Sequence, residues 1–296
     1  MIDPRALLTF HAVCEAGTIS GAARMLNLSQ PSVSNAIAAL EARIGARLFD
    51  RSRSGIVLTA EGQALSLRAR MLNNLLRDAE SEVAGVRAGV WGPLQIGGTP
   101  GALVSLLPRA IGAFDDLGVK VSLNVVERPD SVLNEMLRSG DIELAFVTTE
   151  IGEMPDDLVE TTISRDPFTL IVGRSHDDLP DQMSLAATRD LRWVLPEAHG
   201  AFRRQVDALF IANGLPMPRE VVRCDSLLTT KAIVRSSNRV TILPRAVASA
   251  ELSIGVLRAI VLEDANFTRS VGIRRHRDHL LSEAARQLLQ YVASDV

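Results

Sequence analysis

The stretch from Thr18 to Arg53 constrains the fold more than any other. It carries a short helical pattern, a tight turn, a second helix start and a hairpin pattern whose tip is rich in arginine. The second helix is expected over Pro31 to Ile44, with Ser29 just ahead of it and Pro31 in its first turn, where a missing N–H costs nothing. Val33, Ile37, Leu40 and Ile44 form one apolar stripe at about 100° per residue. The opposite face, Pro31, Asn35, Ala38, Ala39 and Ala42, is small and nearly uncharged, which suits close approach to another surface. Gln30, Ser32, Ser34 and Asn35 gather at the N-terminal end, where a helix lying in a major groove reaches base edges. Asn and Gln pair bidentately with adenine. The plainer account is an amphipathic helix whose Ser and Asn cap and solvate it.

Context favours a winged helix-turn-helix. A helix from Pro4 to Ala16 comes first, with Asp3 as N-cap and Gly17 as its stop. A second runs from Ser20 to about Leu26, and Asn27 and Leu28 make the turn. After the third helix, Ala46–Phe49 and Gly55–Leu58 flank a basic tip. Arg51 and Arg53, with Arg47 ahead of them, are candidate phosphate contacts, which fix register without reading sequence. An isolated basic loop is otherwise simply solvated.

Residues 1 to 62 resemble the N-terminal domain of LysR-type transcriptional regulators. The resemblance rests on Ala22-Ala23, on Leu28 through Ser34, on Leu40-Glu41, on Ile44 through Arg51 and on Leu58 through Gly62, ungapped and in order. It implies that Gln30, Pro31, Ser34 and residue 35 face DNA. This chain has Asn35 where many members carry Arg, so its preferred half-site is its own: Arg favours guanine and Asn favours adenine.

Thr59 caps a long helical pattern that runs to about Arg87. Leu65, Leu72, Leu76, Ala79, Val83 and Val86 step along it as a heptad seam. A helix of about 28 residues spans about 42 Å, too long to bury itself against a small domain, so it is expected to pair with a second copy. The alternative is a packing helix inside one larger domain. Gly89, Gly92 and Pro93 end it.

From Leu94 the chain alternates strand and helix patterns through Val147, and a second alternating set runs from Thr169 to Pro244. This predicts mostly parallel sheets. The final helix, Leu280 to Val292, is expected to pack on the first unit. The LysR resemblance extends, less densely, through Gly140–Ala145 and Ile242–Pro244, with Ser236–Arg239 as a departure. It implies two Rossmann-like lobes of the periplasmic-binding-protein type, with ligand beyond the carboxyl ends of the strands. The expected divisions are 1–59 for the winged helix-turn-helix and 60–89 for the linker helix. Lobe 1 takes 90–163 and 268–296, and lobe 2 takes 164–267.

Thr99 follows the first strand and opens a helix, so its hydroxyl and the free N–H groups beyond it can hold an anion. It can equally be an ordinary cap. Ser131, Thr148, Phe202 and Arg203 are the other candidate effector contacts, the last two suited to an aromatic or a carboxylate group.

Composition by itself does not announce a nucleic-acid binder. The chain has 296 residues, 47% of them hydrophobic, enough for more than one core. No apolar run approaches a membrane span and no charged-then-apolar leader opens the chain, so a cytoplasmic setting is expected. The net charge is −3, yet residues 1 to 90 hold 10 Arg against 8 acids, so positive charge is local to the N-terminal part. Cys14 and Cys224 fall in different domains and read as small hydrophobes, and the five histidines show no metal-ligand spacing. Neither a metal nor a cofactor is expected. No nucleophile-elbow, phosphate-loop, dinucleotide or zinc-protease motif occurs, which argues against an enzyme. The expected partners are operator DNA, a small-molecule effector (a carboxylate among the candidates), further copies as a dimer or tetramer, and RNA polymerase. The rival reading is a cytosolic small-molecule binding protein whose N-terminal helices serve only to dimerise.

Overall fold

The computed structural model describes residues 1–52, 55–116, 118–197, 200–264 and 267–294, with 51, 52, 55, 201, 293 and 294 described by their backbone alone. Three helices come first: α1 (Pro4–Ala16), α2 (Ile19–Met25) and α3 (Gln30–Ile44). Each is capped by a side chain: Asp3 accepts from the Arg5 N–H, Thr18 from Gly21 and Ser29 from Ser32. Gly45, at φ +80°, closes α3 in the left-handed conformation. Val33, Ile37 and Leu40 pack with Phe10, Val13, Ala22 and Leu48 in one core. Ile44, expected on the same stripe, lies outside that core as the last residue of α3 and is 36% exposed.

Strands β1 (Phe49–Ser52) and β2 (Gly55–Leu58) form the antiparallel wing. Glu41 fixes where it begins. Its carboxylate accepts from the Leu48 N–H at 2.8 Å, tying the end of α3 to the hairpin. Thr59 then caps α4 (Ala60–Ala88), accepting from Gly62, while its own hydroxyl donates to the Arg47 carbonyl. Gly62 lies so close to the Leu48 carbonyl that a Cβ would collide with it, so α4 leaves the winged domain at a fixed angle.

The rest is two α/β lobes. The first is built from β3 (Trp91–Gly98), α5 (Pro100–Asp116), β4 (Val121–Glu127), α6 (Asp130–Ser139) and β5 (Leu144–Thr148). The long strand β6 (Leu158–Val172) crosses into the second lobe. There β7 (Gln182–Met183), β8 (Arg192–Leu195), α7 (Ala201–Ala212), β9 (Val221–Arg223), α8 (Leu227–Ser236), β10 (Arg239–Pro244), α9 (Ser249–Ser253) and β11 (Arg258–Leu262) follow. The chain returns along β12 (Thr268–His276) and ends in α10 (Glu283–Ser294). The main strand path is β4-β3-β5-β12-β6-β10-β8-β9. Within each lobe the neighbours β3–β4, β3–β5, β8–β9 and β8–β10 are parallel. The crossing strands β6 and β12 run antiparallel to their neighbours, so the sheets are mixed and not mostly parallel. One β6 strand serves both lobes: it pairs with β12 as far as Pro167 and with β10 from Phe168. The hinge therefore lies at residues 166 to 168. The cores are separate, one around Phe114, Phe146 and Leu288 of the closing helix α10, the other around Trp193, Phe210 and Ile242.

Candidate DNA-reading and effector sites

On α3, Gln30, Pro31, Ser32 and Asn35 are exposed and Ser34 is half-buried, beside exposed Ala38, Ala39 and Ala42. The Ser29 and Ser32 hydroxyls are hydrogen-bonded to each other at 2.7 Å, so Ser32 is partly committed to the cap. Asn35 has no hydrogen bond to a described residue, and its amide is available to a partner. Arg51 belongs to β1, its backbone opposite Ile56, and Arg53 lies outside the described residues.

On α4 only Gly62, Ala69 and Asn74 are buried within the chain. The seam residues Leu76, Val83 and Val86 are exposed, together with Leu75, leaving an apolar stripe along the outer half of the helix. The inner side is anchored: Arg70 pairs with Asp141 at 2.9 Å, and buried Asn74 donates to the Ser139 carbonyl and to Asp141. Two residues on, Glu143 accepts from the backbone and hydroxyl of Ser282 at the start of α10. The Gly140–Ala145 segment thus ties lobe 1 to both the linker helix and the closing helix.

A cleft of about 360 Å³ opens between the lobes at the carboxyl ends of the strands, at the lower end of small-molecule sites. Thr99 and Thr148 line it from lobe 1, and Phe202 and Arg203 from lobe 2. Ser131 does not; it is exposed in the first turn of α6, one residue past the cleft-lining Asp130. Thr99 begins α5 through its carbonyl, which accepts from Ala102 and Leu103, while its hydroxyl makes no hydrogen bond to a described residue. In this it differs from Ser29 and Thr59, whose side chains are spent as caps. Thr148, Thr230 and Thr241 line the same cleft, likewise without hydroxyl partners among the described residues. Phe202 stacks on Phe168 with ring centroids 6.3 Å apart, so it is held as a wall.

Arg203 is heavily engaged. Its Nε lies 2.8 Å from both oxygens of Asp207, and Nη1 donates to the Pro196 carbonyl. Exposed Arg128 also lines the cleft, its Nη1 donating to the Glu127 carbonyl. The buried cation there, which sequence reasoning missed, is Arg269 on β12. It is 4% exposed and lines the cleft beside Gly101. Burial pushes its pKa down to about 10, with Asp166 opposing, so it stays charged at neutral pH. Burial likewise raises the Asp166 carboxyl, against the Ala246 N–H and the Arg269 charge. Cys224, expected as a buried filler, is half-buried and also lines the cleft. Residues 236–239, the departure from the resemblance, turn away from it: Ser237 and Asn238 accept from or bond to Ser175 and His176 ahead of β10.

Two family models match the chain. The one described as bacterial regulatory helix-turn-helix protein, lysR family, covers residues 4–63, and the LysR substrate binding domain covers residues 87–296. The regulator GbpR of Rhizobium radiobacter is 30% identical over 236 residues, 76% of this chain and 76% of that one. GalR of Pseudomonas putida is 27% identical over 289 residues, 98% of this chain and 73% of that one. Among solved structures, full-length CbnR complexed with its target DNA superposes with a TM-score of 0.72 at 21% identity, covering 99% of this chain and 100% of that one. Full-length LysG from Corynebacterium glutamicum with bound effector Arg gives 0.66 at 19%, covering 99% and 97%. At these identities the two structures share the fold.

Proposed function

The chain belongs to the LysR family of bacterial transcriptional regulators, and from that premise we propose how its own residues divide the work. α3 enters the major groove with its N-terminal end foremost. Gln30, Ser34 and Asn35 read base edges, Pro31 and Ser32 shape the close approach, and Arg51 and Arg53 hold the phosphates. The observation that carries this reading is the face of α3: exposed, small and uncharged, with the unengaged amide of Asn35 at its reading end.

Two copies join along the apolar stripe of α4, which supports a dimer and, with further contacts, a tetramer. A dimer sets two α3 helices at a fixed spacing, matched to paired half-sites. The effector is held between the lobes by Thr99, Thr148 and the Phe202 wall. Ser131 and Arg203 act from the margin, Arg203 by fixing the Pro196 loop. Lobe movement reaches the DNA-binding heads through the Asn74 and Arg70 anchor on α4. The protein works in the cytoplasm on promoter DNA, without catalysis, and RNA polymerase is the partner on which its output falls.

Ser34→Ala with Asn35→Ala tests the assignment. Specific DNA binding should be lost while ligand-induced thermal stabilisation is retained. Specific binding that survives the double substitution contradicts it.

A further inference from the structure

Resting on the reading of the interlobe cleft as the effector site, we propose that the effector is a compact carboxylate with an apolar body. We propose further that Arg269 receives the carboxylate, and that Arg269 doubles as a latch across the hinge.

Arg269 sits where β6 and β12 cross between the lobes, directly opposite Asp166 in the ladder. A guanidinium has five N–H donors, and this one spends few. Its Nη2 donates to the Ser105 hydroxyl at 2.7 Å and more weakly to the Gly101 carbonyl at 3.4 Å. Its Nε is buried with no partner, and Nη1 makes no hydrogen bond to a described residue. The nearest carboxylate, Asp166, lies 3.5 Å from Nη2, beyond good hydrogen-bond length, and both its oxygens accept from the Ala246 N–H. A charge this deeply buried is normally paired and fully hydrogen-bonded. Here the pairing with Asp166 is loose and the hydrogen bonding incomplete, with Nε unpartnered, and the group lines a cavity.

The surroundings select the rest of the ligand. Leu195, Phe202, Leu243 and Val247 line the cleft as apolar surface. Three acids also line the cleft: Asp130 is paired with Arg274 at 3.0 Å, Asp225 accepts from the Glu197 N–H at 2.8 Å, and Glu127 is exposed to solvent, so each opposes an anion less than a free buried carboxylate would. Gly101 reserves the space: a Cβ there would fall 2.5 Å from Arg269 Nη1.

The same residue bridges the lobes. Ser105 and Gly101 belong to α5 of lobe 1, and Asp166 holds Ala246 of lobe 2. A carboxylate bound to Arg269 competes with both, so occupancy changes what ties one lobe to the other.

The test uses the full chain and matched neutral and anionic probes: phenylacetate, isovalerate and hexanoate against phenylacetamide, isovaleramide and hexanamide, at millimolar concentration. Thermal shift finds binders and calorimetry measures them. Acids should raise Tm and the amides should not. Arg269→Gln should weaken acid binding about thirtyfold, with partial recovery in Arg269→Lys. Asp166→Asn, which keeps an acceptor for Ala246 and removes the competing charge, should tighten it about threefold. It also keeps the question open to refutation if Arg269→Gln fails to fold. Amides that bind as well as the acids, acids indifferent to Arg269→Gln, or acids that move neither wild type nor Asp166→Asn overturn the proposal. Thr241→Trp fills the cleft. An acid that binds despite it refutes the cleft as the effector site, whereas one blocked by it but indifferent to Arg269→Gln refutes only the role of Arg269.

Discussion

Asn74 of the linker helix donates its amide to Asp141 of lobe 1 at 2.9 Å and to the Ser139 carbonyl at 3.0 Å, and it is 4% exposed. A buried amide so placed joins the helix that carries the DNA-reading heads to the lobe that bounds the cleft. Asn74→Leu leaves a buried carbonyl and part of a carboxylate unsatisfied, a loss of about 1–3 kcal/mol. Urea unfolding of the full chain should show that loss. If the anchor transmits lobe movement as proposed, the effect of a bound ligand on DNA affinity should shrink as well.

On the proposed reading, Asn35 sets base preference. Asn35→Arg should move the favoured base pair in each half-site from A·T toward G·C, by about 1–3 kcal/mol of discrimination. Binding to single-position variants of the preferred site measures it. Discrimination unchanged at every position would remove Asn35 from the reading face.

The stripe on α4 predicts the assembly. Leu76 and Val83 are 43% and 58% exposed in the single chain. Leu76→Glu with Val83→Glu should leave the fold intact, shift sedimentation velocity toward monomer and lower affinity for paired half-sites far more than for a single one.

His11 predicts an acid sensitivity. It is buried in the core of the winged domain, and burial lowers its pKa below 6.5 despite the Glu15 carboxylate 3.8 Å away. A lowered pKa means that the unfolded chain takes up a proton that the folded chain refuses. The stabilisation is therefore whole above about 6.5 and is lost as pH falls toward the lowered value. His11→Leu should flatten this dependence in thermal melts between neutral and mildly acidic pH.

The parts of the molecule most legible in the sequence are those fixed by local chemistry. Asp3, Thr59 and Gly17 mark helix ends because their capping bonds run within a few residues. The strands and helices of each lobe follow from periodicity, and Thr99, Thr148, Phe202 and Arg203 come together on the cleft because all lie at or just beyond strand ends or at helix starts. The strands β11 and β12 and the first half of β6 escaped the reading. Arg269 and Arg274 interrupt the apolar pattern of β12, and they are tolerated only because Asp166, Asp130 and Glu160 meet them from far along the chain. That pairing is tertiary, and with it the buried cation of the cleft stayed hidden.

The most direct test of the account is binding of the full-length protein, at physiological salt, to a site enriched from random-sequence DNA, measured against a scrambled copy for wild type and Asn35→Ala. The account predicts enriched sites with two related half-sites, a wild-type preference of about a thousandfold or more over the scrambled DNA, and a marked loss of that preference in Asn35→Ala. Equal affinity for both DNAs, falling together with added salt, would contradict it.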